Sequence, residues 1–148
     1  CPIPPEASRA TGGGEILRSG TSKFDLLLEL SNRSAVEAVT PDFAVLSALP
    51  YRGIIVTAAA SPDEDFDFVS RFFAPNVGIT EDPVTGSAHC ALGPYWSARF
   101  DRDTLMGYQA SPRGGYVGVR LRGDRVELHG SAVTVTAGEL MAEAEPEN

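Results

Sequence analysis

Cysteine and histidine are scarce in this sequence, and their scarcity excludes two common ways of holding a small domain together. The 148 residues include two cysteines, Cys1 and Cys90, and two histidines, His89 and His129. Two cysteines do not make a disulfide framework, and without a C-x-x-C pair we expect no metal centre. Cys90 lies in an apolar stretch, so we interpret it as a reduced core thiol, with a reactive thiol as the alternative.

Long apolar runs and an excess of basic residues are also missing. No apolar run approaches the ~20 residues that a transmembrane helix needs, so we expect a cytoplasmic protein with no membrane partner. Twelve basic residues against twenty acidic residues give a formal net charge of −8. Because nucleic-acid-binding proteins usually carry a basic patch, we expect no nucleic-acid partner.

The length of 148 residues is enough for one domain with an extension at each end. Residues 1–22 are rich in Pro, Gly and Ser and are interpreted as a linker or N-terminal extension. Residues 23–142 form the predicted domain, and residues 143–148 form an acidic tail. Because the chain begins with Cys1 instead of Met, we expect it to start inside a longer protein; a mature lipoprotein is the minor alternative.

Short apolar patterns predict strands and small helices in the first half of the domain. Residues 24–30 alternate between apolar and acidic side chains, which predicts a strand with one buried face. The β-branched centre of residues 53–60 predicts a strand that is buried on both faces. The elements expected here are a strand at Phe24–Leu30, a helix capped by Ser31-Asn32 and ending at Val39, a helix at Asp42–Leu49, and strands at Gly53–Ala60 and Phe68–Phe73.

The second half of the domain combines one apolar helix with several strands. Residues from Ser87 to about Arg99 predict a helix that is apolar on nearly every face, so we expect protein on all of its sides. The Gly123-Asp124 pair predicts a turn between strands. Strands are expected at Leu105–Ala110, Tyr116–Leu121, Val126–Gly130 and Ala132–Thr136. Together these elements predict a sheet of six or seven strands around one helix, with small helices outside.

The loop before the apolar helix carries the residues best suited to chemistry. Thr85 fits the N-cap position, which leaves the backbone amides of Gly86, Ser87 and Ala88 unpaired at the start of the helix. Gly86 has no side chain to block access, and a helix start favours an anion such as a carboxylate. Asp82 lies just before this point in a loop stiffened by the following proline. The alternative is an ordinary capped loop.

This loop also carries a sequence motif of a known family. The stretch Glu81-Asp82-Pro83-Val84-Thr85-Gly86-Ser87-Ala88-His89 resembles the signature of the PhzF-like family, the phenazine-biosynthesis branch of the diaminopimelate-epimerase-like fold. Arg71–Pro75 resembles the strand before the signature. Gln109-Ala110-Ser111 and Arg113-Gly114-Gly115 resemble a later motif, and the similarity runs from about Phe24 to Leu140.

The resemblance implies a fold class, an activity and a set of site residues. The fold is α+β with two pseudo-symmetric domains, each a curled mixed sheet around a central helix, and this chain corresponds to the C-terminal domain. In the best-studied member, an acidic residue of the N-terminal domain moves a proton across a dihydro-hydroxyanthranilic acid without a cofactor. By match, Asp82 and Ser87 are the catalytic and substrate-binding residues here, with Gly86 and Ala88 at the anion site. No residue of this chain matches the family's acidic base.

Two further residues near the motif are possible site residues. His89 follows Ser87 by two positions and therefore points to another side of the helix, so we interpret it as a hydrogen-bonded structural residue. Arg113 lies in a Gly-Gly turn and either holds that turn or reaches toward the ligand.

Three hypotheses follow about what the protein does. The leading one is a PhzF-like isomerase half that acts on a small carboxylate-bearing metabolite, with the base supplied by a missing N-terminal domain. The second is a non-catalytic ligand-binding or split-gene module that keeps the fold. The third is that two copies of this half pair to rebuild a two-domain cleft. We expect the isolated chain to be inactive and not to be a monomer.

Overall fold

Seven strands and four helices make up the part of the protein that can be described. The computed structural model describes residues 5–12 and 14–139. The helices are α1 (Pro5–Ala10), α2 (Arg33–Glu37), α3 (Phe43–Ala48) and α4 (Gly86–Phe100), with a short 3-10 helix at Pro75–Val77. The strands are β1 (Ile16–Thr21), β2 (Asp25–Leu30), β3 (Gly53–Ala59), β4 (Phe68–Phe73), β5 (Thr104–Gln109), β6 (Gly115–Arg122) and β7 (Arg125–His129).

The strands form one mixed sheet in the order in which they occur along the chain. The pairs β2–β3 and β4–β5 are parallel, whereas the other four neighbouring pairs are antiparallel. A parallel pair needs a crossover connection, and the helices supply it: α2 and α3 connect β2 to β3, and α4 connects β4 to β5. These crossovers bring the start of α4 to the middle of the sheet. The expected α+β fold, a mixed sheet with one long helix packed on it, is confirmed.

Each face of the sheet has its own apolar core. Successive side chains of a strand point to opposite faces: in β3, Ile54 and Val56 join the core under α2 and α3, whereas Ile55 joins the core under α4. Trp96 lies at the centre of the second core, 1% exposed, with its indole ring stacked on Phe68 and Phe100. Both faces of the central strands are therefore covered, and most of their residues are buried.

Most of the expected elements are present, with shifts of one or two residues at their ends. Asn32 caps α2 by accepting a hydrogen bond from the amide of Ala35 at 2.9 Å. Asp42 caps α3, so this helix begins after the cap and Pro41 precedes it. Gly123 adopts a positive φ of 59° in the two-residue turn between β6 and β7, as the Gly-Asp pair predicts.

Three expectations about the ends and the second strand are wrong. Residues 1–22 are not all linker, because α1 and β1 lie within them and β1 pairs with β2 along most of its length. Strand β2 is buried at all six positions instead of on one face, since α4 covers the face that was expected to be open. The predicted strand Ala132–Thr136 is not formed: this segment is in neither helix nor strand, and Val133 and Val135 are 87% and 91% exposed. The acidic tail at residues 143–148 lies outside the described part and stays a prediction.

Helix α4 is less enclosed than its composition predicts. Ala88, Leu92 and Trp96 are buried as expected, but one stripe of the helix is exposed. The exposed stripe consists of Ser87, Cys90, Pro94 and Ala98. The interpretation of Cys90 as a core thiol is therefore wrong: its thiol is free and exposed because it lies on the side of α4 that faces away from the sheet. None of the described helices is long and apolar enough to cross a membrane.

Candidate active site

The candidate site lies where the β4–α4 loop meets the start of α4. Strand β4 pairs with β3 along its whole length and with β5 over Phe68–Ser70, so β3 alone flanks the end that leads into the loop. The loop folds back onto β4, since the amide of Asp82 donates to the carbonyl oxygen of Phe72 at 3.0 Å. Asp82 and Ser87, the two residues singled out from the sequence, are therefore brought to the same end of the sheet.

Gln109, at the end of β5, holds the loop from the inside of the protein. Its side chain is completely buried. Its Nε2 donates to the backbone oxygen of Asp82 at 2.6 Å and to Oγ1 of Thr85 at 3.1 Å, and its Oε1 accepts from the amide of Thr85 at 2.8 Å. Ser111 adds a hydrogen bond from its hydroxyl to the carbonyl oxygen of Pro83 at 2.7 Å. The two polar residues of the Gln109-Ala110-Ser111 motif thus fix the backbone of the site.

Thr85 occupies the N-cap position of α4, but its hydroxyl does not cap the helix. Instead the hydroxyl of Thr85 donates to Oδ2 of Asp82. The first backbone amide of this helix with a partner is that of His89, which donates to the carbonyl oxygen of Thr85 at 3.2 Å. In the described residues the amides of Gly86, Ser87 and Ala88 donate to no acceptor.

Access to these amides differs along the first turn of α4. Gly86 and Ser87 are exposed, whereas Ala88 is completely buried. The open part of the expected anion site is therefore the first two residues of the helix. A Cβ atom added to Gly86 would lie 3.4 Å from Cδ1 of Leu128, an ordinary contact, so a larger residue fits the fold while covering the helix start.

An ion pair that the sequence reasoning missed adjoins Ser87. Arg52 precedes β3 and binds the carboxylate of Asp25 twice, from Nε to Oδ1 at 2.9 Å and from Nη2 to Oδ2 at 2.6 Å. Nη2 also donates to Oγ of Ser87 at 3.0 Å. Asp25 is 2% exposed, and its side-chain hydrogen bond raises the pKa of Arg52 above its usual value. No motif marks this pair, because Asp25 and Arg52 are 27 residues apart and meet only through the parallel pairing of β2 and β3.

A second ion pair fixes the acidic residue next to Asp82. Arg71 on β4 binds Glu81 twice, from Nε at 2.7 Å and from Nη2 at 2.9 Å. Its Nη1 also donates to carbonyl oxygens at the end of α2 and just after it, including that of Val39 at 2.8 Å. The carboxylate of Glu81 is therefore engaged in holding the loop to the body of the protein.

His89 is buried and bonded in the way expected of a structural residue. Its Nδ1 lies 2.8 Å from the carbonyl oxygen of Thr85, and since a carbonyl can only accept, Nδ1 carries the proton. Nε2 is buried without a partner among the described residues. Burial lowers the pKa of His89, with the Thr85 carbonyl opposing this change more weakly.

The lowered pKa of His89 predicts a loss of stability in mild acid. The unfolded chain binds the proton below a pKa of about 6.5, whereas the folded chain resists it, so unfolding takes up a proton and is favoured as the pH falls. We expect the free energy of unfolding, measured by urea titration, to fall as the pH decreases below about 6.5. The variant His89→Gln should remove part of this fall. The exposed His129 is the matched control: if His129→Gln removes as much of the pH dependence, the assignment to His89 is wrong.

Arg113 faces an open depression beside the helix start. The depression has a volume of about 620 Å³ and includes Gly86, Tyr116 and Leu128 in its lining, but neither Asp82 nor Ser87. Arg113 is exposed and makes no hydrogen bond or ion pair among the described residues. The turn itself is held by the amide of Gly114, which donates to the carbonyl oxygen of Ser111 at 3.0 Å. Arg113 is thus free to reach a ligand, and its role stays a prediction. No described cluster of His, Cys, Asp and Glu is arranged to hold a metal ion.

Comparisons with known proteins agree on one family. The family described as "Phenazine biosynthesis-like protein" matches residues 9–138. An uncharacterized isomerase of Halalkalibacterium halodurans is 46% identical over 129 residues, which is 87% of this chain and 48% of that protein. An uncharacterized isomerase of Pseudomonas aeruginosa is 52% identical over 115 residues, 78% of this chain and 43% of that protein.

The fold has solved counterparts as well. The crystal structure of a phenazine biosynthesis protein of the PhzF family from Enterococcus faecalis superposes with a TM-score of 0.79 at 40% identity. The superposition covers 90% of this chain and 53% of that structure. The chain thus spans about half the length of the relatives that it matches.

Proposed function

Because the chain belongs to the phenazine biosynthesis-like protein family, we propose that it is one half of an isomerase that moves a proton on a small carboxylate-bearing metabolite without a cofactor. The observation that carries the proposal is the pairing of a hydrogen-bond acceptor, Asp82, with a donor, Ser87, beside the open start of α4. The buried Gln109 holds the backbone of Asp82, and Arg52, which is anchored on the buried Asp25, donates to Ser87. Residues outside this chain supply the base.

The hydrogen bonds around Asp82 leave one of its carboxylate oxygens able to accept a hydrogen bond from a ligand. Thr85 occupies Oδ2, whereas Oδ1 accepts no hydrogen bond among the described residues. Asp82 is half-buried, so Oδ1 can be reached. An amino or hydroxyl group of a substrate is the complementary partner of this oxygen.

Ser87, in contrast to Asp82, can act as a hydrogen-bond donor. Its oxygen accepts from Arg52, which occupies one lone pair and leaves the hydroxyl proton free to donate. Together with the exposed amides of Gly86 and Ser87, this proton suits a carboxylate, and hydrogen bonds to a charged acceptor are the stronger kind. The site therefore favours a small molecule with a carboxylate and a nearby amino or hydroxyl group. The dihydro-hydroxyanthranilic acid of the family has this pattern.

The chemistry that follows needs only positioning and one outside base. With the carboxylate held at the helix start, a base across the cleft removes a proton from a ring carbon and returns it to another. General acid–base catalysis of this kind contributes about 10²–10⁴-fold, and in our proposal that contribution comes from outside residues 1–148.

Proton–deuterium exchange tests the proposal directly. A dihydro-hydroxyanthranilic acid is incubated in deuterated buffer with this chain alone and with a first domain of the family supplied, and the exchanged carbon is followed by NMR. We expect no exchange above the buffer rate with the chain alone, and exchange when the first domain is present. Asp82→Asn should then slow exchange about ten- to a hundredfold, the value of one hydrogen bond to a charged group.

Two outcomes of this experiment would contradict the proposal. Exchange by the chain alone that persists in Asp82→Asn would mean that another residue of this chain acts as the base. Binding of the compound without any exchange, in the presence of the first domain, would favour a module that binds the ligand without acting on it.

A further inference from the structure

Arg52 lies at the candidate site although neither the sequence motif nor the family signature includes it. Its guanidinium group is the only contact that joins the buried carboxylate of Asp25 to the hydroxyl of Ser87 among the described residues. The side chain of Arg52 is 33% exposed, whereas that of Asp25 is 2% exposed. Arg52 therefore extends from a buried anchor to the exposed start of α4.

The anchor is built to hold the guanidinium group in one orientation. Two parallel hydrogen bonds to one carboxylate fix the plane of the group, and the rings of Phe24 and Phe72 lie 5.2 and 5.8 Å from its central carbon. Gly53 is part of the arrangement, because a Cβ atom there would collide with the ring of Phe72 and lie 3.2 Å from Oδ1 of Asp25. The contact with Phe24 also gives a reason for an aromatic ring that is 51% exposed.

The orientation of the guanidinium group determines whether the Ser87 hydroxyl donates or accepts a hydrogen bond toward a ligand. Arg52 has no acceptor atom, so it can only donate, and Ser87 must accept from it. The hydroxyl proton of Ser87 is thereby directed away from Arg52. Nη1 of Arg52 makes no hydrogen bond among the described residues, so the guanidinium group keeps a further donor.

We infer that Arg52 is a positioning residue that fixes Ser87 as a hydrogen-bond donor and so makes the site selective for carboxylate-bearing ligands over neutral ones. The charge of Arg52 is balanced by Asp25, so its effect depends on the direction of its hydrogen bonds more than on net charge. A lysine has a single nitrogen and cannot bind Asp25 twice while also reaching Ser87. The inference deepens the proposed function, on which the choice of ligand class rests.

Ligand preference in the unmodified chain provides the test. Binding of anthranilate and of anthranilamide, which differ in a carboxylate against a neutral amide, is measured by NMR titration of the ¹⁵N-labelled chain. We expect the chain to prefer anthranilate, and we expect Arg52→Lys and Ser87→Ala each to lower the affinity ratio by about tenfold, the effect of one hydrogen bond to a charged group. Since both changes remove the same interaction, the double variant should lower the ratio no further.

Several results would overturn the inference. They are equal affinity of the unmodified chain for the two compounds, an unchanged ratio in Arg52→Lys, or effects of Arg52→Lys and Ser87→Ala that multiply in the double variant. Arg120→Lys, an exposed arginine on β6, is the matched control and should leave the ratio unchanged. A variant that only loses stability would bind both compounds less well without changing their ratio.

Binding and exchange separate this inference from the proposed function. If the preference for anthranilate depends on Arg52 but no proton exchange occurs with a first domain present, the proposed function fails and the positioning role stands. If exchange occurs but the preference is unaffected by Arg52→Lys, the positioning role fails alone.

Discussion

Replacing Trp96 by alanine is expected to lower the free energy of unfolding by about 3–5 kcal/mol, the usual cost of removing a large aromatic residue from a core. Trp96 is 1% exposed and packs between Phe68 and Phe100 under the sheet. Its indole N–H donates to Oγ1 of the completely buried Thr57 at 3.0 Å. The alanine variant loses this bond and leaves a cavity that α4 and the sheet cannot close.

Urea-induced unfolding followed by far-UV circular dichroism measures this effect. Trp96→Phe keeps much of the ring but not the N–H donor, so it separates packing from hydrogen bonding and should cost less than the alanine variant. Tyr116→Ala removes an aromatic residue that is 49% exposed, and it should cost the least of the three. If Trp96→Ala were no more destabilising than Tyr116→Ala, the assignment of Trp96 to the centre of the core would be wrong.

Replacing Arg71 by methionine is expected to cost about 3 kcal/mol, the lower end of the range for breaking a buried ion pair by removing one partner. The side chains of Arg71 and Glu81 are 12% and 16% exposed, so the carboxylate of Glu81 would stay largely desolvated without its partner. The carbonyl oxygens of Glu37 and Val39 would also lose their donor. The loop that carries Asp82 would lose its ion pair and keep only its hydrogen bonds to Gln109, Ser111 and the backbone of Phe72.

Two matched variants show whether the cost arises from the unpaired charge. Adding Glu81→Gln to Arg71→Met removes the isolated carboxylate and should recover part of the lost stability. The pair Arg122–Glu127 has side chains that are 53% and 44% exposed, so Arg122→Met should change stability by less than about 1 kcal/mol. Equal effects of Arg71→Met and Arg122→Met in urea unfolding would contradict a structural role for the Arg71–Glu81 pair.

The two ion pairs hold different parts of the candidate site in place. Arg71 connects the acidic end of the loop to α2, and Arg52 connects the start of α4 to β2. Gln109 then fixes the backbone between them. The loop and the helix start are therefore held by side chains from β4, from the end of β5 and from the residue before β3, and such support is what a preorganised binding site requires.

Local sequence pattern was enough to predict much of the fold and to single out the candidate site. Runs of apolar residues predict three of the elements, because the length of each run and the turn residues beside it suit one type of structure. These elements are the strands at Gly53–Ala59 and Phe68–Phe73 and the helix at Gly86–Phe100. The Asp82–Ser87 loop could be singled out because its motif is contiguous in the chain. The α+β class and the family follow from these elements and this motif together.

Tertiary contacts determined the burial and the strand pairing that no local sequence pattern predicts. The sequence pattern predicts that Asp25 lies on the exposed, polar face of a half-buried strand. In the structure Asp25 is buried, because Arg52 reaches it across the parallel β2–β3 pairing. Cys90 reads as a core residue, yet it is exposed because of the side of α4 on which it falls. Ala132–Thr136 has the composition of a strand, yet it pairs with no strand among the described residues. Burial and pairing depend on residues distant in the sequence, so they arise only when the chain folds.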